Sequence, residues 1–149
     1  MATPPSEIIA AACEAERKWR IPASISLAQW AVESGWGRHM PPGSNNPFGI
    51  KARPGDPFVT VRTREQDRDG HDYFIEAAFR KFGSIAEAFD AHGALLNKPV
   101  YARARVALPD PDRFADALTG VYATDRGYGK ALRAVMHGSN FYQYDGGAA

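Results

Sequence analysis

The stretch Ile21-Pro22-Ala23-Ser24-Ile25-Ser26-Leu27-Ala28-Gln29-Trp30-Ala31-Val32-Glu33-Ser34-Gly35-Trp36-Gly37 decides how this chain is read. From Pro22 to Val32 it is apolar and alanine-rich, which predicts a largely buried helix that Gly35 and Gly37 end. A lone carboxylate, Glu33, then falls in the last turn, with Trp30 and Trp36 three residues to either side. The partial negative charge of a helix C-terminus disfavours a second negative charge. Neighbouring indoles would strip water from the carboxyl, which also disfavours ionisation. Both effects push the Glu33 pKa up. A carboxyl that keeps its proton near neutral pH can protonate a leaving oxygen, as glycoside cleavage requires. The bland alternative is a solvated surface glutamate.

Upstream, Thr3 followed by Pro4 reads as an N-cap with proline in the first turn. Ile8 or Ile9, Ala12, Ala15 and Trp19 then share one helical face. Downstream, residues 38–56 hold four prolines, three glycines and the pair Asn45-Asn46. That composition predicts a loop long enough to shape a binding site. Val59, Val61, Thr63 and Glu65 alternate onto one face of a strand, Asp69-Gly70 signals a hairpin turn, and Tyr73-Phe74-Ile75 begins the return strand. Ser84-Ile85-Ala86-Glu87 is a capping box, after which Ile85, Phe89, His92 and Leu96 share a face. Asn97-Lys98-Pro99 stops that helix. Asp110-Pro111 starts another, with Phe114, Leu118 and Val121 inward. The last helix follows Asp125 as N-cap, carries Tyr128, Leu132 and Val135, and stops at Gly138.

At 149 residues the chain is expected to form one domain over 1–149, with 146–149 as a flexible tail. A net charge of +1 supplies no field to attract nucleic acid. No apolar run is long enough to span a membrane, and the N-terminus has no basic and apolar leader. Cys13, the single cysteine, cannot form an intrachain disulfide and reads as a small buried hydrophobe. His39, His71, His92 and His137 are scattered without ligand spacing, so no metal or other cofactor is expected, and His92 reads as a core histidine. Arg103, Arg105 and Arg113 form a mild basic cluster, most simply a solvated face.

Four segments, in order, carry a resemblance. They are the stretch 21–37 itself, Asn45-Asn46-Pro47-Phe48-Gly49-Ile50-Lys51, Ala78-Phe79-Arg80-Lys81-Phe82-Gly83-Ser84, and Val121-Tyr122-Ala123-Thr124-Asp125-Arg126-Gly127-Tyr128. Together they resemble the bacterial glucosaminidase family of peptidoglycan hydrolases, of the flagellar and autolysin type, over residues 21 to 144. The resemblance implies an α+β, lysozyme-like fold: mainly helical, with one small hairpin lobe across a substrate groove. It implies hydrolysis of the β-1,4 bond after N-acetylglucosamine in peptidoglycan glycan strands, with Glu33 as general acid. Thr63-Arg64-Glu65 is similar to the family's hairpin motif, which makes Glu65 the second catalytic carboxylate; otherwise it is a solvated strand end beside Arg64. Glu76 and Asp67 are weaker alternatives, and a 2-acetamido sugar can also supply its own nucleophile. Tyr122 matches the family tyrosine that faces the cleft.

Asn46 and Phe48 suit sugar recognition, because an amide pairs with hydroxyl and acetamido groups and an aromatic face stacks on a pyranose. Asn45 is expected to be structural. Trp36 is expected to line the groove or pack about Glu33, and Trp30 to sit in the core. Two rivals remain: a muramidase or lytic transglycosylase of the same fold, and a wall-binding or virion module without turnover. A monomer is expected, alone or as a piece of a larger phage or secreted protein. It would be made in the cytoplasm and act on the wall.

Overall fold

The computed structural model describes residues 2–146. The expectation of a flexible tail therefore falls largely on 147–149, outside the described residues. Helix α1 (Ser6–Trp19) leads into α2 (Ala23–Ser34), and strands β1 (Phe58–Gln66) and β2 (Asp72–Arg80) follow the long loop. Helices α3 (Ile85–Leu96), α4 (Ala102–Val106), α5 (Pro111–Ala117) and α6 (Tyr128–Gly138) complete the body, with 3-10 turns at Pro99–Tyr101 and Phe141–Tyr144.

Helix α2 is the axis of the molecule. Every residue from Ala23 to Ala31 is buried, and α1, α3, α5, α6 and the final 3-10 turn pack against it. Ile25 and Leu27 are fully buried, and each such side chain stabilises the fold by about 1.5–3 kcal/mol. The helix stops for three local reasons. Gly35 adopts the left-handed conformation (φ 56°) and its N–H closes on the Ala31 carbonyl. A Cβ on Gly35 would meet the His39 ring at 2.7 Å. The Ser34 hydroxyl donates to the Trp30 carbonyl at 2.5 Å and accepts from the Gly37 N–H at 2.8 Å. The Glu-Ser-Gly sequence thus pins the turn immediately after Glu33.

Helix α1 begins at Ser6 rather than after Thr3: Pro5 is its N-cap, and the Pro5 carbonyl accepts from Ile8 and Ile9. The hairpin is antiparallel with Phe58 opposite Arg80 and Glu65 opposite Tyr73, and its turn holds Gly70 at φ 79°. Only its base is seated on the body: Ala77 is buried, whereas residues 72–76 are exposed. The Ser84 hydroxyl accepts from the Glu87 N–H, and Glu87 reaches back to the Gly83 N–H, one residue earlier than in a capping box. Phe114 and Leu118 point inward as expected. Val121 does not; α5 ends at Ala117, the chain turns, and Val121 is 44% exposed. Asp125 accepts from the Gly127 N–H in the turn before α6, whose N-cap is Gly127.

Candidate active site

A groove of about 790 Å³ runs between the hairpin base and α3. Phe48, Ile50, Lys51, Arg80 and Phe82 form one side, Ala91 and Leu95 of α3 the other, and Tyr101, Tyr122 and Glu33 close it. Glu33 reaches this groove because α2 presents its last turn there while the rest of the helix stays in the core.

Glu33 is exposed along the groove, but its Oε1 turns inward and accepts a hydrogen bond from the Tyr128 hydroxyl at 3.0 Å. Crowding around the carboxyl removes water and raises its pKa, against the lowering effect of that hydrogen bond. The direction matches the sequence expectation; the surroundings do not. Trp30 and Trp36 pack edge to face with centroids 5.5 Å apart, and Trp36 continues onto Phe141. Trp36 is a core-side aromatic absent from the groove lining. The polar partner of Glu33 comes instead from α6.

Four carboxyls line the groove among the described residues: Glu33, Asp56, Glu87 and Asp90. Asp56 holds the Arg53 N–H, Glu87 the Gly83 N–H, and Asp90 the Trp19 indole and Lys18. Desolvation is the largest single influence on Asp90 and raises its pKa, but the Lys18 and Trp19 contacts together outweigh it and leave the pKa lowered. Glu33 alone of the four has only a neutral hydroxyl as partner.

Tyr122 lies where expected. Its ring stacks on Tyr128 at 5.8 Å, its hydroxyl donates to the Phe48 carbonyl at a long 3.4 Å, and it lines the groove. Burial, together with Tyr128 and Glu33 nearby, keeps the phenol protonated.

Asn46 and Phe48 depart from expectation. Asn46 is 1% exposed, and its amide is fully engaged: it donates to the Ile50 and Arg80 carbonyls and accepts from the Phe48 and Ile50 N–H groups. It shapes the loop and offers nothing to a sugar. Phe48 lines the groove but is 3% exposed. One face stacks on His92 at 4.1 Å and Phe89 meets it edge-on, so it supports the floor and leaves no open face for a pyranose. Asn45 is structural as expected, donating to the Phe82 carbonyl.

Glu65 is exposed and outside the groove lining. Its partner Tyr73 lies seven residues along β2 from Arg80, roughly 23 Å of strand at about 3.3 Å per residue. Its Oε1 accepts from the Thr63 hydroxyl at 3.3 Å. The structure does not bring Glu65 and Glu33 into one site. Glu76 and Asp67 are likewise exposed and outside the lining. At the hairpin turn Asp67, Asp69 and His71 come together, but Asp67 is engaged in capping the turn through the Asp69 and His71 N–H groups.

Two residues were missed as site residues. Tyr128 ends the segment 121–128, where helical spacing predicts a core position, and Gln29 lies within the apolar helix 22–32. Gln29 sits one turn before Glu33, and its Nε2 donates to the Tyr128 oxygen at 2.9 Å. Its Oε1 lies 2.7 Å from His92 Nε2. A polar residue inside an apolar helix, one turn from the candidate acid, was the available signal.

Similarity to known proteins agrees with this geometry. The Glucosaminidase model, described as mannosyl-glycoprotein endo-beta-N-acetylglucosaminidase, matches residues 9–141. The exo-glucosaminidase LytG of Bacillus subtilis is 30% identical over 135 residues, covering 86% of this chain and 48% of LytG. The peptidoglycan hydrolase FlgJ of Salmonella typhimurium is 32% identical over 124 residues, covering 78% of this chain and 39% of FlgJ. The chain thus spans less than half of either relative. The crystal structure of the catalytic domain of the autolysin Auto from Listeria monocytogenes superposes with a TM-score of 0.81 at 29% identity, covering 97% of this chain and 91% of that one. The architecture is the lysozyme-like one expected, and the chain belongs to the Glucosaminidase family.

Proposed function

We propose that this domain hydrolyses peptidoglycan at the β-1,4 bond after N-acetylglucosamine, with Glu33 as general acid. The observation that carries the reading is the difference between Glu33 and the other three groove carboxyls. Those are bound to N–H groups, and Asp90 also to a lysine, while Glu33 faces the groove with a raised pKa. The names of LytG and FlgJ supply the substrate class.

Glu33 protonates the glycosidic oxygen as the C1–O bond breaks. With Glu65 outside the groove, the acetamido carbonyl of the substrate attacks C1 from the opposite face and forms an oxazolinium ring. Water then adds at C1, the ring opens, and Glu33 takes the proton from that water. Tyr122 holds the acetamido group in line, since its weak bond to the Phe48 carbonyl is readily exchanged for one to the sugar. One chain supplies every group in this scheme, so a monomer suffices. The domain meets its substrate at the wall, by release or as part of a larger protein.

The test is mass spectrometry of borohydride-reduced fragments from purified peptidoglycan digested with the protein. Reduced N-acetylglucosamine ends support the reading. Reduced or anhydro muramic acid ends assign the cut to the other bond, and no new ends from folded protein mean a binding module.

A further inference from the structure

Behind Glu33 a line of side chains leads into the core. Tyr128 bonds to Glu33, Gln29 to Tyr128, and His92 to Gln29. Gln29 and His92 are both fully buried, and they join α2, α3 and α6. The proposed chemistry uses none of the last three.

The proton positions in this line follow from which partners each side chain has. Burial holds the His92 pKa down at about 3, so the ring is neutral and carries one N–H. His92 Nδ1 is buried with no partner among the described residues. An orphaned buried N–H is a rare and costly arrangement, so the hydrogen belongs on Nε2, where it meets Gln29 Oε1. The Gln29 amide is thereby oriented with Nε2 donating to the Tyr128 oxygen. Tyr128 has one hydrogen, and it goes to Glu33 Oε1. Turning Gln29 over would require Nε2 of His92 to accept and would move the ring hydrogen to the unpartnered Nδ1.

We propose that His92 and Gln29 are positioning residues that lock the Tyr128 hydroxyl as a donor to Glu33, so that the acidic proton of Glu33 is confined to Oε2, the oxygen free to face the substrate. With Oε1 already accepting from Tyr128, a proton there would clash with the incoming hydroxyl hydrogen. The line runs one way, and each donor is polarised by the one behind it. This inference rests on Glu33 being the general acid.

Other titratable groups bear on the site. Tyr122 stacks on Tyr128 and Tyr101 packs against Tyr122, and burial raises the pKa of both. Lys51, Arg53, Asp56 and Arg80 line the hairpin side of the groove. Glu87, Asp90 and Lys98 line the other. Glu33 itself is governed by desolvation, which raises its pKa, and by the Tyr128 hydroxyl, which lowers it.

The experiment is the pH dependence of kcat/KM and kcat on soluble peptidoglycan glycan oligomers for the wild type, Gln29→Met and Tyr128→Phe, with thermal melts to establish folding. In Gln29→Met the Tyr128 oxygen can accept the Glu33 proton, which stabilises the inward-protonated acid. In Tyr128→Phe the donor that stabilises the carboxylate is gone. Both variants are expected to move the alkaline limb upward by about half a pH unit or more, with kcat reduced about tenfold and KM within about twofold. An alkaline limb that stays in place in either folded variant, or a Gln29→Met kcat equal to the wild type, overturns the lock. Glu33→Gln, run beside them, separates the two failures: if it retains turnover, the assignment of the acid fails first.

Discussion

Asp145 accepts both the backbone N–H and the hydroxyl of Ser24, at 2.7 and 2.8 Å, across 121 residues of sequence. Pro22, the N-cap of α2, has no side chain able to satisfy the first amides of that helix. The far end of the chain does so instead, assisted by Glu16, which accepts from the Ala23 and Gly146 N–H groups. The carboxylate sits at the positive end of the α2 dipole, so charge and hydrogen bonding act together. The helix that presents Glu33 is therefore held at its start by the turn that follows Phe141–Tyr144.

Asp145→Ala is expected to cost about 1–2 kcal/mol of stability, the usual range for a lost cap. Urea denaturation of the single and double variants with Ser24→Ala checks it. The double variant should lose little more than Asp145→Ala alone; full additivity would show that the pair does not interact.

Asp112 pins the end of the chain by accepting from the Tyr142 hydroxyl and by pairing with His137 at 3.1 Å. These contacts hold its pKa below the ordinary carboxylate value, although desolvation opposes them and is the largest single influence. A depressed carboxyl contributes stability that is present above its unfolded pKa, about 3.9, and is lost as the pH falls through its folded value. Asp112→Asn should narrow the difference between denaturation midpoints at neutral pH and below pH 3. An unchanged difference would contradict the assignment.

Glu33 has the opposite sign. Its folded pKa is raised, so folding is favoured below the unfolded value and that advantage is lost as the pH rises through the folded value. Glu33→Gln should melt at or above the wild-type temperature at pH 7, with the gain disappearing near pH 4. A lower melting temperature at pH 7 would mean that the ionised carboxyl is a stabilising group.

Glu65 on the exposed hairpin and Glu33 in the groove predict a nucleophile supplied by the substrate. Proton NMR of the first product should show the β-anomer, because two displacements at C1 retain configuration. Glu65→Gln should retain activity within roughly tenfold of wild type, since no acid–base effect of the usual 10²–10⁴-fold is lost. An initial α-anomer, or a Glu65 variant as inactive as a Glu33 variant, would require the hairpin carboxyl to act in the groove.

Much of this was legible in local sequence. The glycines after Glu33, the Asp69-Gly70 turn and the Ser84 cap are short-range signals, and the elements they punctuate form where expected. What escaped the sequence lies at long range. Gln29 and Tyr128 are 99 residues apart, and no local pattern states that they touch. Asn46 looked suited to sugars because an amide is an amide at any depth; only the carbonyls of Ile50 and Arg80 reveal that it is occupied. Trp36 lies near Glu33 in sequence, but left-handed backbone at Gly35 and at Trp36 itself turns the chain towards Phe141. Helix α1 starts later than Thr3-Pro4 predicts because its first turn closes on the Pro5 carbonyl and uses no side-chain cap.

The most direct test of the central claim is the initial rate of soluble fragment release from purified peptidoglycan by Glu33→Gln and the wild type, with matched far-UV spectra. If Glu33 is the general acid, the variant folds and binds the wall but turns over roughly 10²–10⁴-fold more slowly. A folded Glu33→Gln protein that releases fragments at close to the wild-type rate would contradict the account.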